Sequence, residues 1–194
     1  MMHHVRRVLV VVALSLFAVG PAAASSRADT SWYIGFGLGG GATWTRPYDT
    51  HAAVGSFQMQ FEAGAILTPH WLLGGEFDIS MSDAMAIGIG AGLGAALGED
   101  EPADVAPRLF FGPMVSWYPV LELGLHLKGG LGVCTTSFFP DSDSQTGFDV
   151  RTGFGWEGRL LESFHLGLEV QHGFEVYALG WSNEVFGLVT MAWY

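Results

Sequence analysis

From Leu121 to Val133 the chain reads Leu-Glu-Leu-Gly-Leu-His-Leu-Lys-Gly-Gly-Leu-Gly-Val, with leucine or valine at every odd position except Gly129. A two-residue period puts those side chains on one face of a strand, whereas a helix would scatter them around its circumference. The opposite face holds Glu122, His126 and Lys128 among Gly124, Gly130 and Gly132. Such a mixture of charged and tiny residues, set against an unbroken oily row, raises the question of what each face touches.

The pattern recurs along the chain, predicting eight strands. The first, over 31–44, sets Trp32, Ile34, Phe36 and Leu38 against Tyr33, Gly35, Gly37 and Gly39. The second sets Phe57, Met59 and Phe61 against Gln58, Gln60 and Glu62 and ends at Thr68-Pro69-His70, a turn signal. The third, from Trp71, opposes Leu73, Phe77, Ile79 and Met81 to Glu76, Asp78 and Ser80. The fourth carries Leu109, Phe111, Val115 and Trp117 and stops at Tyr118-Pro119, and Leu121–Val133 is the fifth. The sixth opposes Phe148, Val150, Phe154 and Trp156 to Asp149, Arg151, Glu157 and Arg159. The seventh opposes Phe164, Leu166, Leu168, Val170 and Phe174 to His165, Glu169, Gln171 and Glu175. The eighth is Glu184–Tyr194, after a last loop over 177–183.

Joins near Pro69, Pro119 and Glu162 are short, and those near Tyr48, Glu99 and Asp141 are longer. Strict alternation of short and long joins is the asymmetry of an up-and-down outer-membrane barrel, with short periplasmic turns and longer outer loops. The stretch 84–98, apolar without polar alternation, is assigned to an extended third strand plus outer loop. A ten-stranded barrel, or a short interfacial helix there, are the alternatives.

Composition fits a chain only partly covered by water: 49% of residues are hydrophobic, 14% charged and 28 are glycine. The N-terminus has Arg6 and Arg7, an apolar run over 8–19 and Pro21-Ala-Ala-Ala24, a secretory signal with cleavage expected after Ala24. Residues 25–194 then form the barrel domain. Removing two of the eight Lys and Arg takes the net charge from −11 to about −13. That acid excess disfavours a nucleic-acid partner, and it could repel polyanions or hold divalent cations. Cys134 is the sole cysteine, so no disulfide framework forms.

No downstream segment offers 18 uninterrupted apolar residues, so a membrane form must be a closed sheet, the only other way to satisfy backbone groups in hydrocarbon. The faces then invert. Leucines touch acyl chains, while Glu62, Glu76, Glu122, His126, Lys128, Arg151, Glu157, Arg159, His165 and Glu169 face a lumen that an eight-stranded barrel just fills with side chains. Lys128, Arg151 and Arg159 are too few for every lumen acid, leaving some protonated or hydrated. Trp32, Trp71, Trp117, Trp156, Trp181, Trp193, Tyr118, Tyr177 and Tyr194 fall near strand ends, where interfacial girdles belong.

With its signal segment, its repeated alternation and its ending Phe186-Gly-Leu-Val-Thr-Met-Ala-Trp-Tyr194, the mature chain resembles the small eight-stranded outer-membrane barrels of the OmpA/OmpX type. The resemblance implies a Gram-negative outer membrane, lipid and lipopolysaccharide as surroundings, and a monomer. It also implies a C-terminal signal for the barrel assembly machinery, with Phe186, Leu188 and Tyr194 on the row that is read.

Other motifs are weaker. Gly35-Phe-Gly-Leu-Gly-Gly40 matches G-x-G-x-x-G without the helix that a dinucleotide site needs. Asp141-Ser-Asp-Ser-Gln-Thr-Gly147 has its glycine one place late for a calcium loop and Thr152 where glutamate belongs. His172 falls on the lipid face, where lipid A deacylases carry a catalytic histidine, but no serine neighbours it. No metal, cofactor or catalytic residue is therefore predicted. The expectation is a non-enzymatic barrel with a plugged polar lumen, acting as an envelope structural or surface-interaction protein. A lipid-modifying enzyme and a narrow pore are the alternatives.

Overall fold

Alternating side chains oblige a strand to find an apolar neighbour for one face and a polar one for the other. The computed structural model, which describes residues 27, 30–46, 54–82, 107–136, 144–178 and 180–194, meets that demand by closing the sheet. Its strands are β1 (Trp32–Arg46), β2 (Val54–Thr68), β3 (Trp71–Ser82), β4 (Arg108–Val120), β5 (Leu125–Thr136), β6 (Gln145–Arg159), β7 (Phe164–Tyr177) and β8 (Gly180–Trp193). Each pairs antiparallel with the next, and β1 pairs with β8 through Phe36↔Met191 and Leu38↔Val189, so no sheet edge is left. The count is eight, not ten.

The faces are inverted as predicted. Phe111, Leu131, Phe154 and Val170 are all more than half exposed on the outside, while Gln58, Glu76, Asp149 and Glu175 are fully buried inside. Inward glycines make room for the long groups. A Cβ on Gly130 would strike the Met114 sulfur, one on Gly132 the Phe110 ring, and one on Gly155 the His126 imidazole.

Three short joins lie at one end. Pro69 and His70 link β2 to β3, where the His70 backbone N–H donates to Thr68 Oγ1 at 3.3 Å. Residues 160–163 link β6 to β7. The third corrects the sequence reading: Leu121–Leu123 is a single 3-10 turn, and β5 begins only at Leu125. Pro119 lacks the N–H to continue the β4 ladder, and the β4–β5 register shifts between Trp117 and Val120. Gly124 closes the turn at φ 64, with its N–H bonded to Leu121 O at 3.1 Å. That left-handed geometry suits glycine, which has no Cβ to clash.

At the other end the joins span 47–53, 83–107 and 137–144, but the fourth is a tight hairpin with Tyr177 paired to Gly180. The alternation of short and long joins is thus not strict, and β8 starts four residues before Glu184. The signal segment 1–24 and the stretch 84–98 lie outside the described residues. Within the calcium-loop candidate, Gln145–Gly147 are β6 residues paired with Thr136–Cys134. Gly35–Gly40 is extended backbone in mid-β1.

Candidate functional site in the barrel interior

The inward rows of all eight strands converge on a stack of charged side chains. Nearest the short turns, Tyr33, Leu72, Tyr118 and Tyr194 form a small core, with Leu121 and Ala192 packed against it. Into it reaches Arg27, from ahead of β1. Its guanidinium is ion-paired with Glu157, lies 3.4 Å from the Tyr118 ring centroid and donates to Tyr194 Oη at 3.1 Å. Glu157 also accepts from Tyr118 Oη at 3.0 Å and Tyr194 Oη at 2.9 Å, and stands 3.2 Å from His165 Nδ1.

Half-way up, Lys128 of β5 gathers carboxylates from three other strands. It is paired with Glu62 of β2, with Glu76 of β3 at 2.8 Å and with Glu169 of β7 at 3.3 Å. His126 Nε2 lies 3.1 Å from Glu169, and Gln60 and Gln171 donate to the two Glu76 oxygens at 2.8 and 2.9 Å. A cavity of about 30 Å³ remains among Tyr33, Glu62, His126 and Lys128, room for roughly two waters.

Toward the long loops, Arg151 of β6 is paired with Asp78 and reaches Asp149 at 2.7 Å and Glu184 at 2.8 Å, its guanidinium 4.1 Å from the Phe110 centroid. Arg108 donates to Ser182 at 2.7 Å and lies 3.5 Å from Glu175, which accepts from Tyr177 Oη at 2.9 Å. Buried charges are tolerable when paired and hydrogen-bonded, and here each cation meets at least one carboxylate.

Of the ten predicted lumen residues, Glu62, Glu76, His126, Lys128, Arg151, Glu157, His165 and Glu169 join this network. Arg159 stands half-buried at the turn end, in register with His165. Glu122 is a correction, because the 3-10 turn carries it out of the strand and leaves it exposed. Phe186, Leu188 and Tyr194 also point inward, at 1, 2 and 6% exposure. Phe186 and Leu188 fit there because β1 places Gly41 and Gly39 opposite them. The outward row of β8 is Val185, Val189 and Trp193.

Tyr118, Tyr177 and Tyr194 are likewise buried inside, leaving tryptophans to form the girdle: Trp71 and Trp117 stack at 5.9 Å near the turn end, with Trp32 and Trp193 exposed at the same end on β1 and β8. Arg27, Asp78, Asp149, Glu175, Glu184, Gln58 and Gln171 belong to the site and were not singled out as site residues by the sequence. The alternation does place all but Arg27 and Glu184 on polar rows.

A closed antiparallel barrel with an oily outside and a charged inside narrows the family sharply, and the outer membrane protein beta-barrel domain matches residues 9–183. The chain belongs to that family. Membership puts this outer-membrane barrel in a Gram-negative envelope. Among solved structures, Neisserial surface protein A is similar at TM-score 0.57 with 7% identity, over 84% of this chain and 97% of that one. Ail, the attachment invasion locus protein of Yersinia pestis, is similar at TM-score 0.50 with 11% identity, over 84% and 99%. At such identities the likeness is one of fold. No curated protein matches the sequence.

Proposed function

We propose that this outer-membrane barrel is a non-enzymatic, non-conducting envelope protein whose role is carried by its loop end. The observation behind this reading is Lys128, which ties β5 to β2, β3 and β7 across the lumen. With Arg151 above it and Arg27 below, little room is left for a hydrated ion. In planar bilayers the protein should give no stepwise conductance; stable unitary steps would replace this reading with that of a narrow pore.

The apolar belt sits in outer-membrane lipid and lipopolysaccharide, and the protein acts as a monomer. It reaches the membrane behind a cleaved signal at 1–24, and the barrel assembly machinery reads its last strand. Because Phe186, Leu188 and Tyr194 face inward, the row available at the outer surface is Val185, Val189 and Trp193.

The three long joins hold Asp49, Asp83, Glu99, Asp100, Glu101, Asp104, Asp141 and Asp143 and no lysine or arginine. Ail has been crystallised with the heparin analogue sucrose octasulfate. A polyanion of that kind would be repelled by the acidic joins of this chain, so a basic or cation-bridged surface is the fitting partner class.

A further inference from the structure

We infer that the loop-end half of the lumen holds one divalent metal ion, of the hard, oxygen-seeking class, between Asp149 of β6, Glu175 of β7 and Glu184 of β8. One oxygen from each carboxylate lies within 4.8 Å of the others. Two ligands on opposite sides of a calcium ion, at about 2.3–2.6 Å each, are separated by about that distance, and magnesium at about 2.0–2.1 Å needs a tighter set.

Mutual closeness alone would not make a site, but the hydrogen bonding points the same way. Each carboxylate spends one oxygen on a donor: Asp149 Oδ2 on Arg151 Nε at 2.7 Å, Glu184 Oε1 on Arg151 Nη2 at 2.8 Å, and Glu175 Oε2 on Tyr177 Oη at 2.9 Å. The other oxygens, Asp149 Oδ1, Glu184 Oε2 and Glu175 Oε1, accept no hydrogen bond among the described residues. All three side chains are at most 1% exposed, and Glu184 Oε2 meets only Arg108, at 4.0 Å. A buried carboxylate oxygen without a donor is costly, and three of them on side chains clustered this closely call for an electrophile.

Charge gives the valence. Glu76 shares Lys128 with Glu62 and Glu169 and also lies 3.9 Å from Arg151, so this layer sets Asp78, Asp149, Glu175 and Glu184, with part of Glu76, against the two guanidinium groups of Arg108 and Arg151. Carboxylates outnumber cations in this layer, which favours a divalent over a monovalent ion. An all-oxygen donor set selects against zinc and copper. Arg108, 16% exposed, lies 3.5 Å from Glu175 and is the partly exposed member of this layer.

The test uses the full mature barrel, refolded in detergent and stripped with chelator. Ca²⁺ is titrated by calorimetry, and Tb³⁺ by luminescence sensitised through Tyr177. One equivalent should bind, Asp149→Asn and Glu175→Gln should each weaken it at least tenfold, and a loop variant, Asp141→Asn with Asp143→Asn, should keep it. Heat-modifiable gel mobility checks that each variant is folded. Absence of saturable binding by the folded wild type overturns the inference, as does binding that the loop variant abolishes. If a lumen variant does not fold, those two measurements still decide.

Discussion

Lys128 Nζ on β5 and Glu76 Oε2 on β3 lie 2.8 Å apart with both side chains at most 1% exposed, although β4 runs between their strands in the sheet. A contact that skips a strand needs the wall to curve back on itself. The pair is therefore a direct product of closure.

Replacing Lys128 with methionine keeps the stem but removes the one cation shared by Glu62, Glu76 and Glu169. Uncompensated buried carboxylates cost about 3–5 kcal/mol. Urea unfolding of the barrel in lipid vesicles should show a loss of that size, and Glu76→Gln in the same background should restore part of it.

Arg27 lies ahead of the first strand, yet it fills the turn-end layer between Tyr118 and Glu157. Arg27→Ala should leave a folded barrel that is about 2 kcal/mol less stable, the scale of a desolvated cation–π contact. Arg27→Lys should recover less than half, because an ammonium cannot lie flat on the ring.

The glycines divide by position. A Cβ on Gly124 would collide with the Glu157 carbonyl at φ 64, whereas Gly129 has no neighbour closer than 4.0 Å. Gly124→Ala should cost at least 1–2 kcal/mol, roughly the left-handed penalty, and lower the refolding yield. Gly129→Ala should be neutral within about 0.5 kcal/mol, as for substitutions away from packed features. Unfolding curves of the two variants side by side check the contrast.

His172 points outward and faces Thr152 and Val185 across its two ladders, with Val170 and Phe174 on either side in its own row. Nothing in that surrounding orients a base toward a serine. His172→Ala should leave the lipid A mass spectrum of expressing cells identical to wild type; a shift by one acyl chain would reinstate an enzyme.

Much of this was legible in the sequence because alternation fixes which side of a strand a residue occupies. Glu62, Lys128, Arg151 and Glu169 needed nothing more than parity. What parity does not carry is where a strand ends or what meets across the lumen. Leu121 and Leu123 alternate as a strand would, but the ladder shifts register across Pro119 and the chain turns after Val120, so Glu122 left the lumen with the turn. Tyr118 and Tyr194 lie near strand ends, as girdle residues do, and only the packed structure reveals Glu157 and Arg27 as partners for their hydroxyls. Glu184 lay on a strand with two apolar faces, and Phe186 fell inside because β1 offers Gly39 and Gly41 there.

All of these expectations depend on the outward leucines touching acyl chains. Leu131, in mid-β5 and 53% exposed, is the place to ask. The decisive measurement is the folding free energy of Leu131→Arg in lipid vesicles. An arginine facing hydrocarbon near the midplane should cost about 2–4 kcal/mol. A variant as stable as the wild type would show that water, not lipid, covers that face, and would contradict the account.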